Sequence, residues 1–253
     1  MPFRKRSAAA PAGLFACEAT GLAWLRVPGG PRVVEVLALR DDELELEELV
    51  PAPPSRAAAR EFGAALARLH DAGAPAFGAP PAGWAGDGFF GPLDQPLPLP
   101  AGDHASWGEF YAARRMAPVR ELLAARGRLG PDLAAGLDTL VDRLASGALD
   151  DGEPPARVHG DLWSGNVLWT PDGVTLIDPA AHGGHRMADL AMLALFGLPY
   201  LDDVLAAYAA VHPLPRGLSR AMALHQLYPV GMHAVLFGGG YVPQLARLVA
   251  RLA

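Results

Sequence analysis

The feature of this sequence that most constrains its fold is a segment around residue 170, where two short apolar runs flank a Pro-Asp-Gly turn. The runs, residues 167–170 and 174–177, are long enough for two short strands, and Pro-Asp-Gly is a typical turn sequence. A hairpin returns the chain to the place where it began. We therefore expect Asp178, directly after the second run, to lie beside the polar loop that precedes the first run.

That polar loop contains Asp161 and Asn166, so the hairpin predicts that three polar groups converge. The Asp-x-x-x-x-Asn spacing is the one found in the catalytic loop of protein kinases, where phosphoryl transfer depends on positioning and charge neutralisation. We assign Asp161 as the base for an acceptor hydroxyl, and Asn166 and Asp178 as oxygen ligands of Mg²⁺. Pro179 predicts an extended backbone at Asp178. A chance match is the alternative, because each motif alone is short.

Residues 159–167 spell HGDLWSGNV, which resembles the signature of the fructosamine (ketosamine) kinase family; related aminoglycoside and choline kinases usually lack this tryptophan. Further blocks resemble the family in the same order and cover nearly the whole chain: residues 107–116, 177–180, 184–186, 189–192, 227–229 and 236–242, together with His233.

The resemblance implies a protein-kinase-like α+β fold with two lobes, a truncated small β lobe and a mainly helical large lobe. It also implies ATP- and Mg²⁺-dependent phosphorylation of a sugar hydroxyl on a ketosamine, either a small molecule or a glycated protein. Trp163 would face the sugar and His233 would line its pocket, although both side chains could instead be part of the core. Asp189 would cap the following helix and brace the catalytic loop.

At the N-terminus, the resemblance makes Lys5 the phosphate-binding lysine of a small-lobe strand and Glu18 its helix partner. Glu47 and Leu49 would belong to the hinge between the lobes, where backbone groups bind the adenine. Only two residues precede Phe3, so the glycine-rich hairpin expected there is not in this sequence. A misplaced start codon, a natural truncation with weak ATP use and a non-catalytic relative are the three explanations.

The distribution of prolines and glycines predicts two units, a truncated small lobe over residues 1–50 and a helical lobe over residues 51–253. Residues 32–39 and 43–49 are predicted to form a hairpin, and three prolines within residues 50–54 mark the joint. Ser55 is a candidate N-cap for the next helix. Residues 74–103, dense in proline and glycine, are predicted to be a long loop of the kind that is often functional.

The composition indicates which partners and which cellular compartment to expect for this protein. A net charge of −6 argues against nucleic acid, which needs a basic surface. Cys17 is the single cysteine, which suits the reducing cytoplasm, and we expect it to be a core residue. No apolar run is long enough to predict a membrane span. Another small-molecule kinase of the aminoglycoside or choline type, or a pseudokinase, is the alternative function, and the oligomeric state is open.

Overall fold

The computed structural model describes residues 2–7 and 10–253; Met1, Ala8 and Ala9, which belong to the predicted N-terminal unit, lie outside the described residues. The N-terminal part is a three-stranded antiparallel sheet in the order β1-β4-β3, with one helix packed against it. Its elements are β1 (Phe3–Arg6), α1 (Leu14–Trp24), β2 (Arg32–Val33), β3 (Val36–Arg40) and β4 (Glu43–Leu46).

The sheet buries one face of β4 because its sequence alternates. Leu44 and Leu46 are buried, whereas Glu45 between them is half-buried. Residues 44–46 follow the period of two that a strand with one buried face requires. Glu43, at the start of the strand, is buried as well, and its carboxylate pairs with Arg6 and Arg40. Lys5 on β1 pairs with Leu44, so β4 holds the N-terminal strand in register.

The predicted hairpin over residues 32–39 and 43–49 is wrong in its extent. The observed hairpin joins β3 to β4 only, and a register shift lies between Val36 and Ala38. β2 instead pairs in parallel with β9 (Gly173–Leu176), where the Arg32 side chain donates to Thr175 Oγ1 over 2.9 Å. A sheet and a core thus cross the predicted boundary at residue 50, and the division into two units stays a prediction.

The C-terminal part is mainly helical. Ser55 accepts a hydrogen bond from Ala58 N at the start of α2, as predicted, and α2 buries Phe62, Leu66 and Leu69. The helices are α2 (Arg56–Asp71), α3 (Trp107–Tyr111), a π-helix (Ala112–Met116), α4 (Ala117–Ala125), α5 (Pro131–Ala145), α6 (Met187–Phe196), α7 (Leu201–Val211), α8 (Leu218–His225), α9 (Leu227–Leu236) and α10 (Tyr241–Leu252).

Short strands interrupt the helices at two places. β7 (Ala156–Val158) pairs with β10 (His182–Gly184), and β8 (Val167–Thr170) forms the predicted hairpin with β9. The segment predicted as a long loop is not structureless: β5 (Gly88–Phe90) and β6 (Leu97–Leu99) form an antiparallel pair within it. Within residues 2–7 and 10–253, no helix has both the length and the apolar character to span a membrane.

Candidate active site

The polar loop before β8 brings the three predicted groups together. A 3₁₀ turn over Ser164–Asn166 leads directly into β8, and Asn166 is buried. Its Nδ2 donates to Asp161 O over 2.7 Å and to Asp161 Oδ2 over 3.2 Å, and it reaches Asp178 O at 3.4 Å. The hairpin returns the chain as expected, since Ile177 N donates to Asn166 O over 3.2 Å.

The backbone of Asp178 is not extended, contrary to the prediction from Pro179. Its φ is 53°, in the left-handed region. The following proline disfavours the right-handed helical region, and aspartate is among the residues that tolerate the left-handed one. This conformation places Asp178 Oδ1 at 2.7 Å from Lys5 Nζ.

Lys5 connects the N-terminal strand to the catalytic loop. Its Nζ donates to Glu18 Oε1 on α1 and to Asp178 Oδ1, both over 2.7 Å. Burial opposes the charge of this ammonium, but the two carboxylates outweigh burial and raise the pKa of Lys5 above its ordinary value. The predicted Lys5–Glu18 pair is thus present in the structure, and its role toward a nucleotide stays a prediction.

Asp189 braces the catalytic loop but does not cap α6. The N-cap position belongs to Arg186, and Asp189 lies in the first turn. Its Oδ2 accepts from His159 N over 2.8 Å and its Oδ1 accepts from Gly160 N over 2.9 Å. His70 Nε2 lies 3.1 Å from Oδ2. Two backbone amides immediately before Asp161 are therefore held by one buried carboxylate.

The conformation of Gly160 explains why this loop needs glycine. Its φ is 82°, and a Cβ there would lie 2.1 Å from Ala180 O. No side chain fits at that distance without moving the backbone. The position of Asp161 thus depends on a tight backbone approach as well as on Asp189.

The negative charge around Asp161 would attract a cation. Burial raises the pKa of Asp161 most, and the nearby carboxylates of Asp178 and Asp189 raise it further, whereas the hydrogen bond from Asn166 lowers it; the resulting pKa is about 7. Carboxylate and amide oxygens are the ligands that Mg²⁺ prefers. Within the described residues, no group of three or more histidine, cysteine or acidic side chains could hold a metal by itself. Asn166 and Asp178 fit a Mg²⁺ that shares its remaining ligands with phosphates and water.

These groups open into a cavity of about 600 Å³. Its lining joins the catalytic loop to α1 and to the C-terminal helices, and includes every predicted catalytic, metal and substrate residue together with Lys5 and Glu18: Lys5, Glu18, Asp161, Trp163, Asn166, Asp178 and His233.

Trp163 and His233 lie in the aromatic part of the cavity wall. The Trp163 side chain is 42% exposed and meets Phe196 edge to face, with ring centroids 6.3 Å apart. His233 is half-buried among Phe196, Phe237 and Tyr241. Aromatic side chains therefore line this wall of the cavity, and an aromatic face is a surface on which a sugar ring can stack.

Sequence reasoning missed part of the cavity and misplaced another part. Phe89, Phe90 and Leu93, in the segment predicted as a long loop, line the cavity; the only signal was an apolar pair inside a proline- and glycine-rich stretch. Cys17 also lines it and is half-buried, so it is not the core residue that was predicted.

The predicted hinge residues do not line the cavity. The Glu47 carboxylate accepts from Glu35 N over 2.8 Å and pairs with Arg32, so it serves the local structure. Leu49 packs against the core that contains β4. The structure does not bring these two side chains to the catalytic loop. That backbone groups of this segment bind the adenine stays a prediction.

Three comparisons place this architecture among known proteins. The family model described as fructosamine kinase matches residues 2–253. A "Probable ketoamine kinase" from Thermus thermophilus is 34% identical over 95% of this chain and 83% of its own length. A crystal structure of a protein assigned as a fructosamine-3-kinase from Thermobifida fusca is 48% identical, with a TM-score of 0.88 over 99% of this chain and 85% of that one.

A more distant structure is similar in fold alone. An aminoglycoside phosphotransferase in a ternary complex with ADP and hygromycin B is 18% identical, with a TM-score of 0.58 over 95% of this chain and 83% of that one. The predicted α+β fold of the protein-kinase-like class is confirmed by these neighbours.

Proposed function

Because this chain belongs to the fructosamine kinase family, we propose that Asp161, Asn166 and Asp178 direct transfer of the γ-phosphoryl group of ATP to a ketosamine hydroxyl. The chain is an ATP-dependent phosphotransferase, and its acceptor is a sugar joined to an amine. The observation that carries the proposed roles is the convergence of these three residues with the Lys5–Glu18 pair on one cavity.

Asp161 orients the acceptor hydroxyl and takes its proton. Its carboxyl lies at the cavity, held by Asn166 Nδ2 on one side and by the braced backbone of residues 159–160 on the other. A base works best when its pKa is near the working pH, and burial raises the pKa of Asp161 to about 7. Both position and basicity therefore support this role.

Lys5 contacts the phosphates of the nucleotide, and Glu18 keeps the ammonium aimed at them. The pair crosses from the N-terminal sheet to Asp178, so it fixes the nucleotide relative to the catalytic loop. Asn166 and Asp178 would hold Mg²⁺, which supplies neutralisation of phosphate charge when bound. The backbone of residues 47–49 would receive the adenine.

The sugar lies against Trp163, with His233 farther along the same wall. An indole face suits the apolar face of a sugar ring, and the aromatic wall lies next to Asp161 in the cavity. A free ketosamine and one attached to a peptide both fit this assignment, because the reacting hydroxyl is on the sugar.

The test is ADP release with magnesium-ATP, in the presence and absence of ribulose-lysine or fructose-lysine. We expect release that depends on the ketosamine. Asp161→Asn should lower turnover by about 10²–10⁴-fold, since it removes a general base. Release that aminoglycosides or choline stimulate and ketosamines do not would reject the proposed acceptor, and full activity in Asp161→Asn would reject the proposed base.

A further inference from the structure

The β5–β6 pair and its flanks, residues 87–101, contribute residues 88–93 and Leu99 to the lining of the cavity; we call this segment the strap. On one side, β5 packs against α1, and a Cβ at Gly88 would lie 3.8 Å from Cys17 Sγ. On the other side, the Phe90 ring lies 5.6 Å from that of Tyr228 on α9, and Gly91 faces Leu236 on the same helix. The strap thus contacts both the helix of Glu18 and the helix of His233.

The base of the strap is closed by hydrogen bonds. Asp87 Oδ1 accepts from Ala101 N over 2.9 Å, and Pro100 O, directly after β6, accepts from Arg115 Nη1 over 2.8 Å. One of these anchors belongs to the strap itself. The other, from Arg115 on the π-helix, ties the strap to the helical part of the protein.

Arg115 is a buried cation in an unusual setting. Its side chain is 2% exposed, and among the residues that the structure describes its hydrogen bonds go to the backbone carbonyls of Pro100 and Arg114 rather than to a carboxylate. The guanidinium instead lies 4.5 Å from the Phe110 ring centroid and 5.4 Å from that of Tyr228. Burying an unpaired charge is costly, and here two aromatic faces and backbone carbonyls offset the cost.

The π-helix explains how the guanidinium reaches this point. Ala112–Met116 interrupts the helix between α3 and α4, and such extra turns re-aim side chains and are frequent at functional sites. Arg114, the preceding residue, is exposed. Two consecutive arginines therefore have opposite environments, and only Arg115 bonds to the strap.

We propose that Arg115 is a positioning residue that sets the height of the strap over the acceptor side of the cavity, and that the strap selects ketosamines by the size of the amine substituent. The inference rests on the proposed function. Phe90 and Gly91 lie against α9, the helix that carries His233, and Leu93 lines the same cavity. This part of the strap therefore borders the wall that the proposed function gives to the acceptor.

The first test compares Arg115→Lys with the matched control Arg114→Lys. Lysine keeps the charge but loses the planar fork that reaches Pro100 O and stacks on two rings. We expect the KM for fructose-lysine to rise about tenfold or more, with the KM for ATP within about twofold, in Arg115→Lys only. The ratio of kcat/KM for a fructosyl-lysine peptide to that for free fructose-lysine should also rise, because a loosened strap admits the larger substituent. Equal rises in both KM values, or an unchanged ratio, would overturn the proposal.

A second variant decides the matter if Arg115→Lys does not fold. Leu93→Ala shortens the tip without disturbing the buried cation, and it should shift the same ratio toward the peptide. An unchanged ratio in Leu93→Ala would overturn the proposal. Wild-type turnover separates the two hypotheses: absence of ketosamine-dependent ADP release rejects the proposed function, whereas normal wild-type turnover with unaltered selectivity in the variants rejects the role of the strap alone.

Discussion

Replacing Asp189 by asparagine tests how the catalytic loop is held. The wild-type carboxylate accepts from His159 N, Gly160 N and His70 Nε2, at 2.8, 2.9 and 3.1 Å, and is 1% exposed. An asparagine has one acceptor oxygen and an NH₂ group that can only donate. If the oxygen stays with Gly160, the NH₂ group faces the His159 N–H, and a buried backbone donor loses its acceptor.

His70 can adapt to the substitution, whereas the backbone cannot. Tyr208 OH accepts from Arg186 and lies 2.8 Å from His70 Nδ1, so a change of imidazole tautomer would let Nε2 accept from the new NH₂ group. One unsatisfied buried donor costs about 1–3 kcal/mol, and the loss of charge-assisted hydrogen bonds adds to it. We expect the free energy of unfolding to fall by about 2–4 kcal/mol in Asp189→Asn.

The same change should slow catalysis, because residues 159–160 position Asp161. A displacement of the proposed base by about 1 Å can cost on the order of 10²-fold, so we expect kcat to fall by about 10–100-fold. Urea unfolding and initial-rate kinetics measure the two effects. Asp142→Asn, at an exposed position of α5, is the matched control and should change neither.

The pH dependence gives the prediction a second check. Burial opposes ionisation of Asp189. The hydrogen bond from His70 and the interactions with His159 outweigh burial and hold the pKa of Asp189 below its ordinary value. An acid with a lowered folded-state pKa stabilises the fold above its unfolded-state pKa, about 3.9, and loses this effect as the pH falls through the folded-state value. The stability difference between wild type and Asp189→Asn should thus be constant from pH 6 to 8 and shrink in acid. A loss of less than about 1 kcal/mol with normal kcat would refute the bracing role.

Three further substitutions probe the site and the fold. In Gly165→Ala the new Cβ would lie 2.2 Å from the Trp163 ring, so the indole must move; we expect initial rates to show a higher KM for the ketosamine and an unaltered KM for ATP. Lys5→Met removes the cation between two carboxylates and should raise the KM for ATP and lower kcat, whereas normal ATP kinetics would count against its role. Ser55→Ala removes the N-cap of α2 and should lower the free energy of unfolding by about 1 kcal/mol in urea without changing the kinetics.

The convergence of Asp161, Asn166 and Asp178 could be predicted from the sequence because it depends on short-range geometry. A two-strand hairpin with a tight turn leaves the chain little freedom, so its ends must meet. The N-cap of α2 and the alternation of β4 are local for the same reason. The Lys5–Glu18 contact is longer in range, and the sequence indicated it only through the resemblance to a family.

Other features depend on contacts that no local pattern encodes. Asp189 has the sequence context of a helix cap, yet its partners are the amides of residues 159–160, which tertiary packing brings to it. The backbone of Asp178 turns left-handed where Pro179 alone favours an extended chain, and there its carboxylate meets Lys5.

The strap shows most clearly what only the tertiary structure decided. Its prolines and glycines are typical of a loop, and its two strands are three residues each. Pairs this short are marginal in isolation and acquire order from what they pack against. Here the partners are Arg115, Tyr228 and Cys17, far apart in the chain. The sequence by itself determined which polar groups the catalytic loop carries and that they converge, whereas packing between distant segments determined the shape of the cavity that they line.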